Sequence, residues 1–237
     1  MLRDFTALSF DCYGTLIDWE RGILAELTPW LSGRGVSVDP ERLLGVFAAA
    51  ESALQTAEPK LPYRRVLERV HVRIGEALGV PSTEGAAAAF AASVGSWPAF
   101  PDTVEALRYL AGHYRLFVLS NVDEISFSAT ASRLGVDFDG VFTAEAIGSY
   151  KPALRNFEYL LHRTEALGID PGSILHVAQS LHHDIEPARR LGLATCWIDR
   201  RGAEGGWGAT PPPSSPVEAD LRFTSLGELA ERHAGER

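Results

Sequence analysis

The sequence predicts an α/β protein, a doubly wound parallel-sheet core with an inserted helical cap. Three observations carry that expectation. From residue 102 onward, short apolar runs alternate with helix-length stretches, and such units close into a parallel sheet with helices on both faces. Before that, about eighty residues after Leu16 show helical spacing with no strand-like run between them. The first apolar run, Ala7-Leu8-Ser9-Phe10, ends on Asp11 and passes into Cys12-Tyr13-Gly14-Thr15-Leu16. That places a carboxylate at the carboxyl end of a strand, where open α/β sheets bind ligands.

Each element has its own signal. After the first strand, Gly14 lets the chain turn sharply. Ile23, Leu24, Leu27 and Leu31 give the stretch from Trp19 to Leu31 a helical period. Val46 to Leu54 and Tyr63 to Leu78 behave alike, Val66, Val70 and Ile74 standing four apart, and the alanine-rich residues 85–95 make a fourth helix. Four helices without a strand predict an all-helical insertion over 18–96, leaving 1–17 and 97–237 as the core. The proline-rich Trp97-Pro98-Ala99-Phe100-Pro101 marks the return to the core. Helix 102–112 then precedes strand 115–120, and helix 124–134 a short strand near Val141-Phe142. Helix 153–167 leads to strand 173–178, helix 185–191 and strand 194–199. Residues 202–218, with Gly205-Gly206 and Pro211-Pro212-Pro213, read as a surface loop before Leu221-Arg222-Phe223-Thr224 and a final helix.

Composition narrows the partners. At 237 residues the chain can bury a substantial core. No apolar run approaches the ~18 residues of a membrane span, and the first residues lack the apolar segment of a secretory signal, so a cytoplasmic protein is expected. A net charge of -9 opposes binding to nucleic acid or to an anionic membrane surface, while a locally positive pocket remains open to an anionic substrate. The two cysteines, Cys12 and Cys196, have no metal-ligand or redox spacing and read as small buried side chains.

A carboxylate fixed by a strand is a nucleophile candidate, the plainer alternative being an aspartate that caps its turn. Four segments follow one another, each at the end of its own predicted strand: Asp11 to Leu16; the run 116–119 ending in Ser120-Asn121; Tyr150-Lys151-Pro152; and the run 174–178 entering Gln179-Ser180-Leu181-His182-His183-Asp184. Together they resemble the four signatures of the haloacid dehalogenase superfamily, over nearly the whole chain. The resemblance implies a Rossmann-like core, a helical cap after the first signature, and a hydrolase in which Asp11 attacks the substrate.

Most members of that superfamily are magnesium-dependent phosphatases with a second aspartate two residues after the nucleophile. Tyr13 stands there in this chain, and a phenol does not replace a carboxylic acid as proton donor to a leaving alkoxide. Gln179 stands where phosphatases carry another aspartate, leaving Asp11 and Asp184 as the carboxylates that would hold magnesium if it binds. The Asp-x-Tyr-Gly-Thr-Leu form is instead similar to the metal-independent 2-haloacid dehalogenases. This implies no cofactor and a small anionic substrate, a short 2-haloalkanoic acid. Asp11 displaces halide to form an aspartyl ester, and water then hydrolyses that ester to the 2-hydroxy acid. Halide leaves without a proton, so the missing acid is expected.

In that reading Thr15 hydrogen-bonds Asp11, Lys151 offsets the charge of substrate and nucleophile, and Asp184 orients Lys151 or the water. Ser120, Asn121 and Tyr13 bind substrate. The plainer alternatives are a turn contact for Thr15, a solvated Lys151, helix-dipole complementation for Asp184, and capping of the helix near Glu124 by Ser120 or Asn121. Three features depart from these dehalogenases. The cap arginine that receives their halide has no counterpart in Phe47-Ala48-Ala49-Ala50-Glu51, so Arg64, Arg65 and Lys60 are the cations on offer, with a solvated helix face as the alternative. Phe157 stands for a tyrosine. The fourth loop carries Ser180, His182 and His183 in place of an asparagine, and either histidine is a candidate to activate water or bind substrate. A magnesium-dependent phosphatase, a hydrolase of another carbon leaving group such as a strained ring, and a non-catalytic binding relative stay open, as does a homodimer.

Overall fold

The computed structural model describes residues 1–202 and 205–236; residues 203, 204 and 237, within the expected loop 202–218 and core segment 97–237, lie outside the described residues. Six parallel strands make one sheet: β1 (Ala7–Phe10), β2 (Arg115–Ser120), β3 (Gly140–Thr143), β4 (Ile174–Ala178), β5 (Ala194–Ile198) and β6 (Leu221–Phe223), in the order β3-β2-β1-β4-β5-β6. The chain builds outward from β1 to β3 on one side, then returns to lay β4 to β6 on the other. Its direction therefore reverses at β1, and the loops beyond β1 and β4 diverge to leave a crevice at their carboxyl ends. β1 is buried throughout, pairing Phe10 with Val118 on one side and with Val177 on the other. That burial on both edges and faces explains its unbroken apolar character.

The helices are α1 (Trp19–Ser32), α2 (Pro40–Ala57), α3 (Tyr63–Leu78), α4 (Glu84–Ala92), α5 (Thr103–Ala111), α6 (Glu124–Leu134), α7 (Ala144–Ile147), α8 (Leu154–Glu165), α9 (Glu186–Arg190) and α10 (Leu226–Gly235). No strand is found among residues 18–96, where α1 to α4 follow one another. Asp18 caps α1 by accepting from the Arg21 amide. α2 starts six residues before the expected Val46, because Asp39 accepts from the Arg42 amide and Pro40 at the first helical position presets the backbone. Gly22 admits Trp97 against α1, where an added Cβ would lie 2.3 Å from the Trp97 Cγ. This contact locks the first inserted helix to the re-entry segment.

Two short pieces escaped the sequence reading. Thr143 caps the single turn α7 immediately after β3, accepting from the Ala146 amide. The helix expected over 185–191 begins earlier, as a π turn over Leu181–Ile185 that runs into α9. That wide turn swings His183 and Asp184 back under the end of β4, a placement often associated with functional sites. No described helix is long and apolar enough to cross a membrane.

Candidate active site

Asp11 lies one residue beyond β1, its amide bonded to the Val177 carbonyl so that the loop starts in register with β4. Gly14 then takes a φ of 96°, and the amides of Leu16 and Ile17 both return to the Cys12 carbonyl. A side chain is strained at that φ, which explains the glycine. Arg200 braces the turn from below, its guanidinium donating twice to the Thr15 carbonyl and pairing with Asp102 at 2.7 Å.

This rigid loop fixes both oxygens of the buried Asp11. The Thr15 hydroxyl donates to Oδ2 at 2.7 Å while accepting from the Gln179 amide at 2.9 Å. Lys151 Nζ donates to Oδ1 at 2.9 Å. The same ammonium donates to Asp184 Oδ1 at 2.7 Å and to the Leu119 carbonyl at 2.8 Å, so its three protons are all used. Asp184 Oδ1 also shares a hydrogen bond with His176 Nε2 at 3.0 Å, and His176 is in turn bonded to Ser9 within the sheet. Lys151 is only 2% exposed, which makes it a buried charge held by two carboxylates.

The two carboxylates are not equivalent. Burial raises the Asp11 pKa, opposed by the Lys151 charge. Asp184 is also buried, yet Lys151 and the His176 hydrogen bond hold its carboxyl below the usual range. Lys151 itself is raised, its two carboxylate partners outweighing the cost of burial.

Above this floor is a small cavity, with ≈ 30 Å³ open to the centres of water-sized spheres. The core contributes Asp11, Tyr13, Ser120, Asn121, Lys151, Ser180, His183 and Asp184; α1 to α3 contribute Trp19, Glu51, Gln55 and Tyr63, and Thr210 closes one side. The Ser120 hydroxyl and Asp184 Oδ2 are buried and have no hydrogen-bond partner among the described residues. Tyr13 shares a 2.8 Å hydrogen bond with Thr130 and packs edge-on to Trp97; burial holds its phenol well above the ordinary pKa. His183 is pushed down to about 3, by burial first and by neighbouring His182 second, so it is neutral at physiological pH.

The match of a family model described as haloacid dehalogenase-like hydrolase over residues 5–192 decides the family. The chain belongs to the haloacid dehalogenase-like hydrolases. An (S)-2-haloacid dehalogenase of Pseudomonas sp. (strain YL) is 34% identical over 106 residues, 44% of each chain. A glyceraldehyde 3-phosphate phosphatase of Methanocaldococcus jannaschii is 33% identical over 102 residues, 42% of this chain and 43% of that one. This hydrolase thus matches less than half the length of either relative. In fold it is similar to the L-2-haloacid dehalogenase from Xanthobacter autotrophicus, with a TM-score of 0.77 and 20% identity, covering 98% of this chain and 100% of the other.

Several residues of this hydrolase sit differently from expectation. Asn121 borders the cavity, but its amide is used on the lysine loop: Oδ1 accepts from the Lys151 amide at 2.7 Å and Nδ2 donates to the Lys151 carbonyl at 3.0 Å. It positions Lys151. Neither Ser120 nor Asn121 caps the following helix; Asp123 does, accepting from the Ser126 amide. Arg64 and Arg65 are exposed and line no part of the cavity, Arg65 pairing instead with Glu68; Lys60 is likewise exposed. The apolar face of α3, Val66, Leu67 and Val70, turns them outward. The Gln179 side chain turns away from Asp11 to accept from Thr210 at 3.2 Å. Ser180 accepts from the His183 amide and so caps the π turn. His182 is half-buried beside His183, with Nδ1 unpartnered among the described residues, and does not line the cavity.

Glu51, Gln55, Tyr63 and Trp19 were not singled out as site residues in the sequence. Glu51 was visible all the same, as a carboxyl set among Leu44, Phe47 and Leu54 on the buried stripe of α2.

Proposed function

We propose that this hydrolase uses Asp11 to displace a leaving group from a carbon of a small acid without a metal ion, a short 2-haloalkanoic acid being the substrate class. The observation that carries the reading is Lys151, whose ammonium bridges Asp11 Oδ1 and Asp184 Oδ1 at 2.9 and 2.7 Å. Lys151 takes one oxygen of each carboxylate and leaves Asp184 Oδ2 unpartnered, and Gln179 and Tyr13 supply no further carboxylate with which to hold a divalent cation there.

One Asp11 oxygen attacks the substrate carbon from behind the bond to the leaving group, which departs with its electron pair. Thr15 and Lys151 hold the carboxylate at a fixed angle, so orientation is set before substrate arrives. The unpartnered Ser120 hydroxyl donates to the substrate carboxylate, and Lys151 balances the added charge in an enclosed site where such pairing is strong. Water then attacks the Asp11 carboxyl carbon and the ester carbon–oxygen bond of that carboxyl breaks; one proton of the water leaves on the product hydroxyl and the other passes to solvent as the hydroxy acid is released. Asp184 Oδ2, with its free lone pairs, orients that water. His183 is too weakly basic to be the proton acceptor and serves as a neutral wall.

The test is a single turnover in oxygen-18 water with enzyme in excess, on 2-chloropropionate with chelator present. Label should enter the Asp11 carboxylate first, and Asp11→Asn should abolish chloride release while retaining the fold. Label entering product directly, or turnover that requires added magnesium, would remove the reading.

A further inference from the structure

The helical wall of the cavity holds a carboxyl group that halide displacement does not need. Glu51 is 3% exposed on α2, and the Tyr63 hydroxyl donates to its Oε1 at 2.8 Å. Glu51 makes no other side-chain hydrogen bond among the described residues, so Oε2 is the atom left to carry a proton. Gln55, one turn further along α2, borders the same space. No lysine or arginine lines this wall among the described residues, and the one ammonium below is already shared by two carboxylates. Ionised, Glu51 would be a buried carboxylate with only the Tyr63 hydroxyl to support it, and burial pushes its pKa up to about 7. As a neutral acid it offers a hydrogen bond toward the centre where Asp11 attacks.

We propose that Glu51 is a proton donor to the leaving atom, and that it extends this site to short acids whose carbon–oxygen bond breaks, a small epoxy acid being the simplest. The inference rests on Asp11 as the nucleophile. An Asp11 oxygen bonds to a ring carbon; the ring carbon–oxygen bond breaks with its electron pair going to oxygen, and that oxygen takes the proton from Glu51 Oε2. Water adds to the Asp11 carboxyl carbon, one of its protons leaves with the product hydroxyl, and the other restores Glu51. The cycle adds one water to one epoxide and leaves the enzyme unchanged. Halide needs no such proton, and an alkoxide does.

The charged and titratable groups that line the cavity with Glu51 are Asp11, Tyr13, Lys151, Asp184 and His183 from the core, with Tyr63 and Tyr150 beside it. Lys151 carries its charge and His183 is neutral through the range where Glu51 titrates. Ring opening should therefore fall as pH rises through the Glu51 titration, without the same fall in chloride displacement.

The experiment measures kcat/KM of the full chain on 2,3-epoxypropanoate and on 2-chloropropionate across pH. The unmodified enzyme should turn over both. Glu51→Gln should lower the ratio of ring opening to chloride displacement by about 100-fold and remove the alkaline limb from ring opening. Tyr63→Phe keeps the acid but deletes the donor that favours its ionised form, so its alkaline limb should move to higher pH. Chloride displacement without ring opening would overturn the inference and leave the Asp11 reading standing. Turnover of neither substrate would sink both. A Glu51→Gln loss equal for the two substrates, or a limb unmoved in Tyr63→Phe, would mean that the residue only holds the wall together.

Discussion

Replacing Lys151 by methionine should destabilise the fold in a strongly pH-dependent way. The side chains are similar in length, so the change removes three hydrogen bonds and one charge while largely filling the space. Asp11 and Asp184 are then left as buried, uncompensated carboxylates. Removing one partner from a buried ion pair costs about 3–5 kcal/mol, and in a chain of this size each kcal/mol moves Tm by about 2–4 °C, so a fall of about 6–20 °C is expected near pH 8. With Lys151 present, Asp184 has a depressed pKa and stabilises the fold above its unfolded value. Without Lys151 both carboxyls rise, the folded state binds more protons than the unfolded one, and stability falls as pH climbs through the raised values. The deficit should therefore shrink toward pH 5. Thermal unfolding followed by circular dichroism at both pH values measures it. A Tm within about 2 °C of the unmodified protein at pH 8, or an equal deficit at both pH values, would refute the idea that this lysine offsets two buried charges.

Two further substitutions separate binding from positioning. Ser120→Ala removes a buried hydroxyl with no partner, so thermal stability should hold or rise slightly, while KM for the acid should increase about 10-fold because a hydrogen bond to a charged group is lost. Asn121→Ala deletes both bonds to the Lys151 backbone, at about 1 kcal/mol each, and should lower Tm by about 4–8 °C. Its kinetic loss should fall on kcat more than KM, since the misplaced group is the lysine.

Most of the segments that converge on the cavity could be read in the sequence because an apolar run leads into them, and the sheet sends such ends to one edge. Asp11 and Thr15 follow β1 and Asp184 follows β4 by that rule, whereas Lys151, expected at a strand end, reaches the same edge only after β3 and the turn α7. The division of labour inside the segments could not be read so directly. A serine and an asparagine in succession look alike as anion binders, yet backbone direction gives Ser120 to the cavity and Asn121 to the lysine loop. Arg64 and Arg65 were the cations on offer for the substrate, with a solvated helix face as the other reading, and the spacing of Tyr63, Val66 and Val70 puts them on that outer face. The early start of α2 was written in Asp39-Pro40, a cap followed by a helix-starting proline. α7 is a single turn and leaves no period to detect. The width of the π turn depends on how Ser180 meets His183, a tertiary detail below the reach of hydrophobic patterning.

The space above Asp11 lies on a boundary between two parts of the chain. The core loops make its floor, and α1 to α3 bring Trp19, Glu51, Gln55 and Tyr63 to its other side. One fastening across that boundary is already visible, where the Tyr150 hydroxyl donates to the Leu61 carbonyl at 2.6 Å, just before Lys151 on one side and α3 on the other. Any movement of that wall would therefore pull on the same short loop that carries the lysine, so a Tyr150→Phe change, which cuts the fastening, should be felt at the position of the ammonium as well as at the wall.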